Sequence, residues 1–279
     1  MKLVLVLFRN FRAAAILAAT GAAVAATQPA FAQSLDQEQV EEGSLAPSPV
    51  KKDWDVTLGI GAGVVPRYPG AGAYRATPLP MVSVRYRDLL FLGPAGLGAN
   101  VIDWNGLRIG PVFGFEGGRD QSDDPHLSGL GSIAPSITGG GFLSYRYRHV
   151  QVTGTVRQAM THSENGLLGR VSFDYLGTLV PKKLFVAMGP ALDFDDGAYS
   201  RTWFGVTAAQ SAASGLRADS PTGGLKDVGF HVRLTYRYTE HIVLLPLFNV
   251  TQFTTDAAAS PIVQRDTQLT VGAGIAYRF

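Results

Sequence analysis

Five histidines, no cysteine and a scatter of aspartates leave few places where this chain could do covalent chemistry. His126-Leu127-Ser128 has the His-x-Ser spacing of some lipid-directed hydrolases, yet it follows Asp123-Asp124-Pro125 in a polar stretch where such residues shape a solvated loop. His162-Ser163-Glu164 sits in a turn ending Asn165-Gly166, which again suits a turn better than a triad. His149 and His241 fall at expected turns and His231 on an inward strand face, none with a second His at metal-ligand spacing. Asp193, Asp195 and Asp196 offer carboxylates to a divalent cation, although Asp195-Asp196-Gly197 more simply marks a turn. Gly59-Ile60-Gly61-Ala62-Gly63 lacks the following helix that a phosphate-cradling loop needs, and the sequon Asn249-Val250-Thr251 is uninformative inside a strand. The expectation is no catalytic residue, no metal and no cofactor.

Arginine carries more information than histidine. Arg85, Arg87, Arg108, Arg146, Arg148, Arg157, Arg170, Arg233, Arg237 and Arg278 share the same side of an alternating pattern, against few acids such as Glu116 and Asp174. Lining a narrow interior, they would either attract anions through an open pore or pair with carboxylates from infolded loops that plug it.

The elements that must position them have a period of two. Leu269, Val271, Ala273, Ile275, Tyr277 and Phe279 alternate with Gln268, Thr270, Gly272, Gly274, Ala276 and Arg278; Val228 to Tyr238 repeats the pattern. Similar runs occupy 54–64, 82–87, 107–115, 137–148, 150–157 and 169–179, with weaker strands near 89–102, 183–193, 199–206 and 242–252. About 12 strands of roughly 10 residues result, with 10 or 14 also open, as a transmembrane antiparallel up-and-down β-barrel requires. Tyr-Arg pairs at strand ends (Tyr86-Arg87, Tyr147-Arg148, Tyr236-Arg237, Tyr277-Arg278) favour a membrane girdle over a soluble sandwich. The strand count sets one conflict: it places the long segment 117–133 on the side of the short turns.

Residues 1–32 read as a cleaved signal peptide, with Lys2, Arg9 and Arg12 before the apolar run Ala13 to Ala26 and Ala30-Phe31-Ala32 as the cleavage site. Losing those three charges takes the formal charge from +2 to −1, which excludes a basic nucleic-acid-binding protein. Residues 33–53 are polar and acidic in their first half, as expected for a flexible periplasmic tether, and 54–279 form the barrel.

Specific residues then resemble the MipA/OmpV family (MltA-interacting protein). Val65-Pro66-Arg67-Tyr68-Pro69-Gly70 followed by Pro78-Leu79-Pro80 is similar to the family's opening loop and P-L-P strand, and Gly110-Pro111 follows. The run Phe204-Gly205 through Gln210-Ser211 to Ser214-Gly215, with Lys226-Asp227 behind it, resembles the family's F-G-V-t-x-x-Q-S-A-x-S-G element. Ser260-Pro261-Ile262-Val263 matches D-S-P-I-V, with Ala259 in the place of Asp, so no carboxylate role carries over there. Tyr277 and Phe279 match the terminus, which an outer-membrane assembly machine would read during membrane insertion.

The resemblance implies a Gram-negative outer-membrane protein in contact with lipid. It further implies a scaffold linking a murein lytic transglycosylase to a penicillin-binding murein synthase. Small Arg-lined permeability channels and surface adhesins are the alternatives within the same resemblance. An enzymatic role is not expected.

Overall fold

A computed structural model describes residues 53–94 and 96–279; the expected signal peptide and tether lie outside the described residues, apart from Asp53. The strands are β1 (Trp54–Pro66), β2 (Tyr74–Tyr86), β3 (Leu90–Gly93), β4 (Gly96–Ala99), β5 (Ile102–Trp104), β6 (Leu107–Glu116) and β7 (Ser136–Tyr147), then β8 (Val150–Ala159), β9 (Leu167–Val180) and β10 (Leu184–Asp195), and finally β11 (Gly224–Arg237), β12 (Ile242–Leu244), β13 (Leu247–Phe253) and β14 (Thr267–Arg278). Three short helices, α1 (Gly197–Phe204), α2 (Ala208–Ser214) and α3 (Thr255–Ala259), lie in the loops. All pairings are antiparallel, and β14 returns to β1 through Thr57↔Arg278 to Val64↔Val271, so the sheet closes on itself. β4 and β5 both pair with β6, and β12 and β13 both lie between β11 and β14. Each couple is one broken stave, which makes this a closed antiparallel 12-strand barrel.

The total of 12 emerges from two compensating differences. Residues 199–206, expected as a strand, belong mostly to α1, which Asp196 caps by accepting the Tyr199 N–H at 2.8 Å. Residues 89–102, expected as one strand, are the hairpin β3–β4 instead. That extra reversal moves 117–135 to the same end as 67–73, 160–166, 196–223 and 254–266. Five short turns (87–89, 105–106, 148–149, 181–183, 238–241) gather at the opposite end with Trp54 and Phe279, while the tight β3–β4 reversal points towards the loop end. The parity conflict disappears, and the two ends differ as they do in outer-membrane barrels, with short turns on the periplasmic side and long loops outside.

Burial follows the alternation. In β14, Gln268, Thr270, Gly272 and Ala276 are buried while Leu269, Val271, Ile275 and Tyr277 are exposed. Ile60 is 71% exposed, Ile137 52% and Val156 51%, so most large aliphatic side chains of the strands lie outside the barrel and the hydroxyls and charges inside. A sandwich in water would do the reverse. Twelve-residue β7 rises about 40 Å along its path, or about 30 Å across a bilayer at the usual tilt. No described helix is long and apolar enough to cross a membrane.

The turn end is ringed by aromatics, among them Trp104 (72% exposed), Tyr238 (66%) and Tyr147 (60%). Arg87 and Arg148 lie over Tyr86 and Tyr147 at 5.3 Å in each case. Both arginines have positive φ and sit in exposed turns. The expectation that they line the lumen is corrected on that ground.

Candidate functional site

Two regions concentrate polar chemistry: the barrel interior and the loop end. Inside, the expected surplus of guanidinium is offset by carboxylates on the same inward face. Asp174 receives His231 Nε2 at 2.6 Å and Ser172 Oγ at 2.9 Å, with Arg233 Nη2 at 3.6 Å. Arg170 meets Asp193 across the β9–β10 ladder at 3.3 Å, Lys226 meets its neighbour Asp227 at 3.2 Å, and Arg278 pairs with Asp55. Glu116 is buried as well. Arg157, Arg170 and Arg233 are buried, whereas Arg85, Arg108, Arg146 and Arg237 sit nearer the turn end: Arg108 beside Asp103, Arg146 on Gln151 at 2.8 Å, and Arg237 over Phe185. The inward acids Asp193, Asp195 and Asp227 were the residues missing from the sequence count. Asp195 and Asp193 occupy alternate positions of β10, and only Asp196 belongs to the turn.

No group of three His, Asp or Glu side chains with metal-holding geometry occurs among the described residues.

At the loop end four of the five long loops share two apolar cores. Tyr68, Ala71, Leu127, Leu130, Val206 and Ile262 form one; Leu168, Tyr199, Trp203, Phe204, Phe253 and Ala257 form the other. Every loop reaches a neighbour through a hydrogen bond. Tyr68 donates its hydroxyl to Ile262 O (3.1 Å), Gln210 Nε2 to Leu130 O (2.5 Å), Arg119 Nη1 to Trp203 O (2.9 Å), and Ser260 Oγ to Phe204 O (2.6 Å); Thr202 Oγ1 donates to Glu164 O (2.5 Å). Burial raises the Tyr68 hydroxyl pKa, reinforced by Asp124, and lowers that of the Arg119 guanidinium to about 10. A lid built this way is a folded layer across the mouth rather than a set of solvated loops.

Residues of the sequence motifs hold this lid. Gly70 adopts φ +94, its N–H donates to Gln268 Oε1, and Pro66 ends β1 just before the loop. Thr207 and Gln210 form the capping box of α2, Ser211 and Ser214 donate to Leu216 O and Gln210 O, and Gly215 closes the helix at φ +78. Gly205 packs on the Arg201 carbonyl, and Lys226 lies under the Tyr199 ring at 5.5 Å. Gly110 lets β6 approach the Ala99 carbonyl, with Pro111 facing outward. The hydrolase-like pair is engaged in the same scaffold: the His126 ring bonds Pro261 O at 3.0 Å, and Ser128 ends a short 3-10 turn. His162 faces Glu164 at 3.4 Å on the exposed surface.

The matching family model, described as MltA-interacting protein MipA, spans residues 58–279. The chain belongs to that family. No curated protein matches it. Solved structures of similar fold include the N-terminal β-barrel domain of Pseudomonas aeruginosa OprF (14% identity, 63% of this chain and 98% of that one, TM-score 0.24). The anion-selective porin from Comamonas acidovorans (8%, 81% and 98%, TM-score 0.33) and OmpT of Vibrio cholerae (10%, 81% and 97%, TM-score 0.30) are others. These likenesses concern the barrel alone.

Proposed function

We propose that this member of the MltA-interacting protein family is an outer-membrane anchor whose periplasmic end captures a murein lytic transglycosylase and a penicillin-binding murein synthase. The reading is supported chiefly by the contrast between the two ends. Outside, a packed lid covers the mouth, and the interior cations Arg170, Lys226, Arg233 and Arg278 face carboxylates, which counts against the channel alternative. On the periplasmic side, the five turns carry Arg87, Arg148, Lys182 and Lys183 against only Asp88 and Glu240, whereas the outer loops hold eight acids against five cations. A solvent-exposed basic rim beside aromatic side chains has the character of a protein-docking edge. The family's name supplies the class of partner, and the barrel's lipid-facing belt supplies the outer membrane as the location.

Residues 33–53 enter this reading as a further binding segment on the same side. The signal peptide, read at 1–32, supplies export, and Tyr277 with Phe279 supplies the insertion signal. No catalytic role is assigned.

The test is capture of a purified lytic transglycosylase by the detergent-solubilised barrel. Charge reversal of Arg148, Lys182 and Lys183 to Glu is expected to weaken capture several-fold while the heat-modifiable gel shift stays unchanged. Undiminished capture by the reversal combined with deletion of 33–53 refutes the proposal.

A further inference from the structure

The barrel wall is incomplete between β2 and β6. Only Val84, Arg85 and Tyr86 of β2 pair with β3, because the β3–β4 hairpin turns back after four residues at Pro94. From Tyr74 to Val82, β2 pairs with β1 alone among the described residues. The gap is bounded above by loop 117–135, which reaches back to β2 through Asp123 on Arg75 at 3.1 Å.

Hydrogen-bond direction explains how this edge is tolerated. Arg87 N–H donates to Asp53 O and Ala73 O accepts from Arg67 N–H, so odd-numbered residues of β2 face β1 and even-numbered ones face the gap. Pro78 and Pro80 are even-numbered. The two central donors that an open edge would expose are therefore absent, and an incoming strand meets no N–H there.

Apolar side chains stand on the inner face beside and below the gap. On the β2 side Leu79 and Met81 cluster with Val65; below the gap, in the paired wall, Val112 opposite Gly98 of β4 clusters with Phe142 and with Phe91 of β3. The opposite wall presents Thr155, Arg170, Asp174 and His231 instead. The outer surface around the gap is continuous with the apolar belt, so its surroundings are hydrocarbon.

We infer that this gap is a lateral port occupied by a lipid acyl chain, which lies against the Pro78–Pro80 edge and reaches the apolar inner face of β2 and the cluster below it. The port rests on the membrane-barrel reading and is independent of any murein partner.

Because the chain lacks cysteine, single cysteines can report on it directly. Met81→Cys, Phe91→Cys, the inward Thr155→Cys and the outward Val228→Cys are labelled with bimane and reconstituted in phosphatidylcholine vesicles with brominated acyl chains. Quenching at positions 81 and 91 is expected to reach at least about half that at 228, with position 155 at background, since bromine quenches only on contact within the hydrocarbon depth. Quenching at 81 and 91 no greater than at 155 overturns the port, as does equal quenching at all four. Background at 228 overturns the membrane reading itself, and the port with it.

Discussion

Removing the Trp203 side chain tests the sealed mouth most directly. Its indole is 1% exposed, stacks on Tyr199 at 5.7 Å and 24°, and packs with Leu168, Phe204, Phe253 and Ala257, while its carbonyl accepts from Arg119. Trp203→Ala leaves a cavity in a layer that cannot collapse onto the rigid strand ends, at a cost of roughly 3–5 kcal/mol. The lid opens locally rather than with the whole barrel, so this cost acts on its closed-to-open ratio, reducing it roughly 150- to 5000-fold. Two measurements follow the change. Planar-bilayer recordings of the variant should show frequent open bursts where the parent is mostly closed. Trypsin added to intact proteoliposomes should cut after Arg119, which is 3% exposed in the folded lid. A parent protein with steady conductance equal to the variant's, and equal cleavage at Arg119, would refute the argument that packed loops close the barrel.

Other outcomes follow from single contacts. Asp174→Asn removes the carboxylate shared by Ser172, His231 and Arg233, and the loss of a buried ion-pair partner should cost roughly 3–5 kcal/mol, read as a lower temperature for the heat-modifiable gel shift; an unchanged temperature would discount the cluster. Gly189→Val sets a side chain against the Phe173 carbonyl on the neighbouring strand, so assembly into membranes should fail in a folding assay, whereas substitution at open Gly131 should not, provided the new residue tolerates φ +75. Restoring donors with Pro78→Val and Pro80→Val should produce edge-to-edge dimers detectable by cross-linking in detergent; a strictly monomeric double variant counts against the unpaired-edge reading. Asp256 accepts both the backbone N–H and hydroxyl of Thr222, which lowers its pKa. Its contribution is therefore present above the ordinary aspartate range and lost as pH falls below it, so protection of the loop 254–266 amides from exchange should weaken on acidification through that range.

The barrel was readable because a period of two leaves little choice once the belt is apolar: a one-residue slip would turn Arg170 and Asp174 towards lipid and Phe173 and Tyr175 inward. The closing loops were far less readable. Residues 199–206 carry aromatics that imitate alternation, yet Asp196 at an N-cap and Tyr199 with Trp203 four residues apart are helix signals with a physical cause. The inward charge balance is hidden in the sequence because Asp193, Asp195 and Asp196 look like one cation-binding group and Asp195-Asp196-Gly197 like a turn, although only Asp196 breaks the two-residue spacing. Motif residues such as Tyr68, Gln210 and Ser260 looked like labels of a family; their contacts are cross-loop, spanning from 56 to 194 positions in sequence, and no local pattern encodes such partners.

Pro78 and Pro80 show what a stricter physical reading of the same sequence would have yielded. A closed barrel has no edge, and proline removes a ladder donor, so two prolines at i and i+2 inside a spanning strand contradict complete closure on one side. Either both donors face a neighbour, losing two bonds in hydrocarbon, or both face a place where the neighbour is missing. The short β3–β4 hairpin supplies that missing neighbour, and its reversal at Pro94 is also what corrects the strand parity. One local feature thus accounts for the break in the wall, for the placement of 117–135 at the outer end, and for the tolerance of an unpaired strand inside a membrane.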